Sequence, residues 1–142
     1  MPCRLRILAV VLLALAAEGL TVGQQAPSAG FACVADMPIP AYRGVLWIAR
    51  VTGDAKATIA IGAGGAPSSV EIQSTQRALV EWLKSTLLAS IFLKKCAGQT
   101  IEIKFVYRLV GGEGDEPRNE VRLKGPNTFE ITARPPIPRT EP

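Results

Sequence analysis

The 142 residues make a chain of one-domain length, weakly basic, with 16 Lys and Arg against 12 Asp and Glu and no histidine at all. The missing imidazole removes the commonest general base and metal ligand and excludes a serine–histidine–acid triad. The positive charge is spread along the chain and not gathered into a basic stripe interleaved with aromatics, which argues against nucleic acid as a partner.

The first element is an export signal over residues 1–23. Arg4 and Arg6 form a basic start, an apolar run follows from Ile7 to Ala17, and Glu18 ends it. The run is shorter than the ~20 apolar residues that cross a bilayer, which is the pattern of a cleavable secretory signal. Small residues at Thr21 and Gly23 suit cleavage before Gln24, and Gly19 offers a second position. The expected location is periplasmic or secreted, with no stable membrane span left after cleavage. Cys3 leaves with the signal. Cys33 and Cys96 remain as an even pair in an oxidising compartment, where a disulfide persists. Closing a loop of about 60 residues stabilises by roughly 3–4 kcal/mol in the chain-entropy model.

Residues 24–35 read as a leader, loose over residues 24–32. Pro38 and Pro40 forbid a regular helix, and the apolar stretch Val45-Leu46-Trp47-Ile48 suits a short one within residues 44–50. Ala55, Ala57, Ile59 and Ile61 alternate with Lys56, Thr58 and Ala60, which argues a half-buried strand. Residues 62–67, rich in glycine, form a turn, and Val70 and Ile72 mark the returning strand. From Thr75 to Lys95 the period becomes helical. Leu79, Val80, Trp82, Leu83, Leu87, Ala89 and Leu93 share one arc, Ser74 is the expected N-cap and Gly98 the C-terminal cap, and Trp82 is expected in the core. The strongest strand follows, with Ile101, Ile103, Phe105, Tyr107 and Leu109 alternating with Glu102, Lys104, Val106 and Arg108. Residues 111–116 form a glycine-rich loop. Residues 118–133 alternate as a C-terminal hairpin, with Val121, Leu123, Phe129 and Ile131 on its apolar side, and residues 134–142 are a proline-rich tail.

Few side chains suit chemistry. Glu113, Asp115 and Glu116 are paired carboxylates on a flexible glycine loop, a poor platform for catalysis. The glycines at 62–65 lack the Gly-Lys-Ser/Thr ending of a phosphate loop and lead into a strand. No cofactor or metal is expected, and no enzyme activity.

The order of helix, hairpin, long helix and long strand resembles the C-terminal domain of TonB-type proteins. Pro40-Ala41-Tyr42 resembles the segment that opens that family, and Arg50-Val51-Thr52-Gly53 its close. Ala55 to Ile59 matches the first strand, Gly64-Gly65 the turn, Leu79 to Phe92 the second helix and its exit, and Thr100 to Leu109 the last strand. The likeness spans residues 36–110. It implies an α+β fold: an antiparallel sheet of about three strands packed by a short and a long helix, here extended by the C-terminal hairpin. It also implies a binding module that takes up an extended peptide of an envelope or outer-membrane protein beside the last strand, by β-augmentation. The residues this places on the partner-binding edge are Ile101, Glu102, Lys104, Val106 and Arg108. The chain has neither the anchor nor the proline-rich spacer of an energy transducer, so it reads as a soluble relative. The competing expectation is an assembly protein that forms a homodimer through the same edge. The hairpin 118–133 is expected to lie against the domain, either along that edge as a displaceable guard with residues 111–116 as its hinge, or as a fixed enlargement of the sheet or core.

Overall fold

The computed structural model describes residues 30–139; the proposed signal segment and residues 24–29 lie outside them. The described residues fold as α+β, with two α-helices, a two-stranded sheet and a five-stranded sheet. The elements in order are β1 (Val34–Asp36), α1 (Gly44–Ile48), β2 (Gly53–Ile61), β3 (Pro67–Ser74), α2 (Arg77–Leu88), β4 (Ile91–Phe92), β5 (Thr100–Leu109), β6 (Glu120–Leu123) and β7 (Thr128–Ala133).

The alternation in β2 and β5 does what period two dictates. Ala55, Ala57, Ile59 and Ile61 turn inward beside Ile101, Ile103, Phe105 and Tyr107, and all are buried. The opposite face carries Lys56 and Lys104 directly across from each other. Like charges so placed repel, and the sheet relieves this along its diagonals. Lys56 pairs with Glu102 at 2.7 Å and Lys104 with Asp54 at 2.9 Å. These half-exposed pairs contribute little stability but keep that face soluble.

The main sheet is larger than expected and is not purely antiparallel. Its order is β3-β2-β5-β7-β6, and β5 pairs with β7 in parallel. The hairpin extension does form and does lie along β5, yet its second strand, β7, takes the inner place. Burial explains the choice: Phe129, Ile131 and Ala133 of β7 are buried, whereas β6 half-buries only Val121. The more apolar strand occupies the position with neighbours on both sides.

Two layers cover the inner face. Over β2 and β3 lies α2, burying Leu79, Leu83 and Leu87. Over β5 and β7 lie the residues before α1. Phe31 meets Phe129 edge-on at 5.3 Å, Phe129 stacks on Phe105 at 5.6 Å, and Tyr42 meets Tyr107 edge-on at 5.2 Å. The leader is therefore structured from Gly30 onward, in a 3₁₀ turn (Gly30–Cys33) running into β1. Cys33 and Cys96 are bonded, with Cα atoms 5.9 Å apart.

The second helix ends earlier than its apolar period suggests. Beyond Ser90, whose N–H still donates to Leu87 O, backbone donors go to other segments: Phe92 N–H donates to Gly65 O at 2.8 Å and Leu93 N–H to Cys33 O at 2.8 Å. Tertiary partners replace the i−4 carbonyls, and Ile91–Phe92 pairs with β1. Gln76, without a side-chain bond, takes the N-cap position, while Ser74 Oγ accepts from Gln76 N–H and donates to Asp54 O. Gly98 is left-handed, after the 3₁₀ turn that follows β4. Trp82 is half-buried at the margin of the core. The Arg43 guanidinium lies 4.9 Å above its ring, a cation–π contact.

Candidate functional site

The two cysteines are the sequence-predicted residues that the fold brings together. Of those placed on a partner-binding edge, Lys104 and Val106 lie between two strands. Within β5, Thr100–Tyr107 pair with β2 and Lys104–Leu109 with β7, so Lys104 and Val106 have strands on both sides, while Ile101 and Glu102 pair with β2 alone and Arg108 with β7 alone. Ile101 is buried in the core and Val106 is buried on the outer face, while Glu102, Lys104 and Arg108 face solvent there. The expectation fails at Lys104 and Val106 because the period of β5 reports which faces are buried and carries no information about lateral neighbours. Glu113, Asp115 and Glu116 stay exposed, and Glu113 is spent on Arg50 at 3.1 Å. Among the described residues, no three His, Cys, Asp or Glu are grouped so as to hold a metal ion.

The free edges of the large sheet are β3 and β6. The β6 edge adjoins a groove. Lys124 N–H donates to Thr128 O at 2.7 Å, which closes the β6–β7 turn as a hydrogen-bonded pair. Antiparallel pairs alternate, so Arg122–Glu130 and Glu120–Thr132 are also hydrogen-bonded pairs. The N–H and C=O groups of Val121 and Leu123 consequently point away from β7, toward the free edge. Their side chains share the inner face. Beneath that face run two adjoining clefts of about 390 and 640 Å³, both lined by Ile39 and Val121. Phe31, Met37 and Phe129 line one, and Trp82, Arg43 and Asn119 the other. Ile39 is 70% exposed and Leu123 47%.

The clefts keep their shape because their floor is pinned by polar contacts. Asn119 clamps the Tyr42 backbone: its Oδ1 accepts from Tyr42 N–H at 2.7 Å and its Nδ2 donates to Tyr42 O at 3.1 Å. The Tyr42 hydroxyl donates to Val51 O and the Tyr107 hydroxyl to Pro40 O. Burial pushes the Tyr42 phenol up to about 12. Burial raises Tyr107 further; the Trp82 indole N–H acts against that rise and the neighbouring Tyr42 phenol adds to it. The Trp82 indole N–H is shut off from solvent and has no acceptor in hydrogen-bonding geometry among the described residues.

Sequence reasoning saw Val121 and Leu123 as an apolar side needing cover. It did not see that Leu123 stays half exposed beside a groove built from residues 31–43. The only local signal was the brevity of β6 and its two flanking charges, Glu120 and Arg122. Comparison with known proteins adds no relative: no family model matches the chain, and no curated protein and no solved structure matches it.

Proposed function

We propose that this domain is an exported protein-binding module that takes up an extended segment of an envelope partner by strand addition at the β6 edge. The observation that carries this reading is the free β6 backbone beside an apolar groove. Added backbone pairs would supply affinity there, and alternate side chains entering the groove would supply specificity. The Cys33–Cys96 bond supports a location outside the cytoplasm. The order α1, β2, β3, α2, β5, with the short β4 inserted before β5, is the one on which the TonB-like resemblance rests; that resemblance implies recognition of an extended peptide, at a different edge from the one used here. The partner is a protein, with no cofactor involved.

A second reading has its own observation. Glu120 and Arg122 alternate on one face of β6. Around a two-fold axis at Val121, each would meet its opposite charge in a second copy, giving a homodimer with one continuous sheet.

The test uses Leu123→Pro. Proline removes the outward N–H of Leu123 without breaking a β6–β7 bond. Amide chemical shifts of Val121 and Leu123 in the unsubstituted protein should move on titration with extended peptides from envelope proteins, and Leu123→Pro should abolish binding while the melting temperature holds. Shifts confined to other surfaces would sink the reading. Light scattering that shows a dimer lost in Leu123→Pro would favour self-association.

A further inference from the structure

The proline-rich tail is bound like a ligand. The residues ahead of Pro135, Pro136 and Pro138 are restrained to extended backbone and the prolines fix their own φ, so residues 134–138 form an extended, polyproline-like segment. Proline has no N–H, so such a segment offers its carbonyls as its backbone handles. Three successive carbonyls each receive a donor from elsewhere in the chain. Trp47 Nε1 donates to Arg134 O, Gly114 N–H to Pro135 O at 3.0 Å, and Arg50 Nη2 to Pro136 O at 2.6 Å. Pro136 is buried, and beyond it a cleft of about 440 Å³ continues between Trp47, Ile48 and Ile137.

The platform is built for donation. The α1 helix ends in a Schellman motif: Arg50 N–H donates to Trp47 O and Val51 N–H to Leu46 O. Position 50 then requires left-handed backbone, with φ of 51°, where glycine is the usual residue. An arginine stands there instead, and its guanidinium reaches both Pro136 O and Glu113. Ile48 and Ile137 remain 61% and 50% exposed around the cleft.

We propose that Trp47, Arg50 and Gly114 form a recognition surface for proline-rich extended peptides, occupied by the chain's own Arg134–Arg139 and available to a partner's proline-rich segment when that tail is displaced. An indole N–H and a guanidinium that grip consecutive carbonyls next to an apolar cleft supply what a polyproline-like ligand needs. The surface is separate from the β6 edge and does not depend on strand addition there.

Two measurements test this. In the intact chain, the Gly114 amide reports tail docking, and the Val110 amide, bonded to Ala133 O at 2.8 Å, reports the end of the sheet. A docked ligand opens locally, so Gly114 should exchange at least ~100-fold faster than Val110. Equal exchange would make the tail an integral part of the fold and overturn the proposal. Second, the full chain carrying Pro135→Gly, Pro136→Gly and Pro138→Gly should bind the free peptide Arg-Pro-Pro-Ile-Pro-Arg, read by the Trp47 indole resonance. The unsubstituted chain, with its site filled, should bind it more weakly. Adding Arg50→Gln should weaken binding about tenfold, as loss of a charge-assisted hydrogen bond does. A triple variant that folds and ignores the peptide, or that fails to fold, overturns the proposal.

Discussion

At the residue scale, single positions show how closely the segments meet. Gly65 has a φ of 88°, and a Cβ added there would lie 2.4 Å from Phe92 O. The hairpin turn and the β4 strand touch through that glycine. Gly65→Ala combines left-handed strain with a backbone clash and should destabilise by about 2–4 kcal/mol, seen as a lowered denaturation midpoint. Gly64→Ala, in open space, should leave the midpoint unchanged within error. The two tyrosines make a pH prediction. Their folded-state pKa values lie above the usual 10.0, so the folded chain holds these protons more tightly than the unfolded one. Stability from the neutral phenols is full below pH 10 and is lost as the pH rises through about 12. Tyrosinate absorbance at 295 nm should rise late, for both phenols, and together with unfolding. Two phenols titrating near 10 in a folded chain would contradict this burial.

At the element scale, the disulfide anchors the covering layer to the exit of α2. It joins residues 63 apart, so reduction frees the chain to a long loop. The Cys33→Ser, Cys96→Ser double variant should lose about 4 kcal/mol by the chain-entropy model, and denaturant titration would read that loss. Thiol titration of the denatured, unreduced exported protein should find none. Because Leu93 N–H depends on the Cys33 carbonyl, the β1–β4 pair should fray first in the double variant. The β1 pattern was not legible in the sequence: Val34-Ala35-Asp36 is too short to declare a period and pairs only because the disulfide and β4 hold it.

At the scale of the whole molecule, the C-terminal hairpin is part of the sheet and not a removable guard. The buried residues Phe129, Ile131 and Ala133 stand beside Phe105, Tyr107 and Leu109. Ending the chain after Val110 would uncover the inner-face aromatics and leave β5 as a long, flat edge, which favours aggregation. The truncated chain should show no cooperative thermal transition by circular dichroism and should aggregate. A soluble, cooperatively melting product would show that residues 30–110 form the domain by themselves. The hinge expected at residues 111–116 is held at its middle, by Arg50 to Glu113 and by Gly114 to Pro135. Movement in this protein is better sought in the tail than in the hairpin.

Much of the local structure follows from the sequence alone. Period two in residues 53–61 and 100–109 and the glycines at 62–65 specify two strands and a turn, because alternation decides which side chains can be buried whatever the neighbours are. The even cysteine pair likewise announced its bond. Lateral order was a tertiary decision. No local pattern states whether β6 or β7 sits beside β5; the greater apolar burial of Phe129, Ile131 and Ala133 settled it once both strands competed for one edge. That competition left β6 at the sheet's edge, and other tertiary contacts ended α2 where Phe92 and Leu93 found carbonyls outside the helix and gave the tail three donors from other segments. Faces are encoded by neighbours along the chain, while edges, clefts and docked segments depend on distant residues that meet only in the folded state.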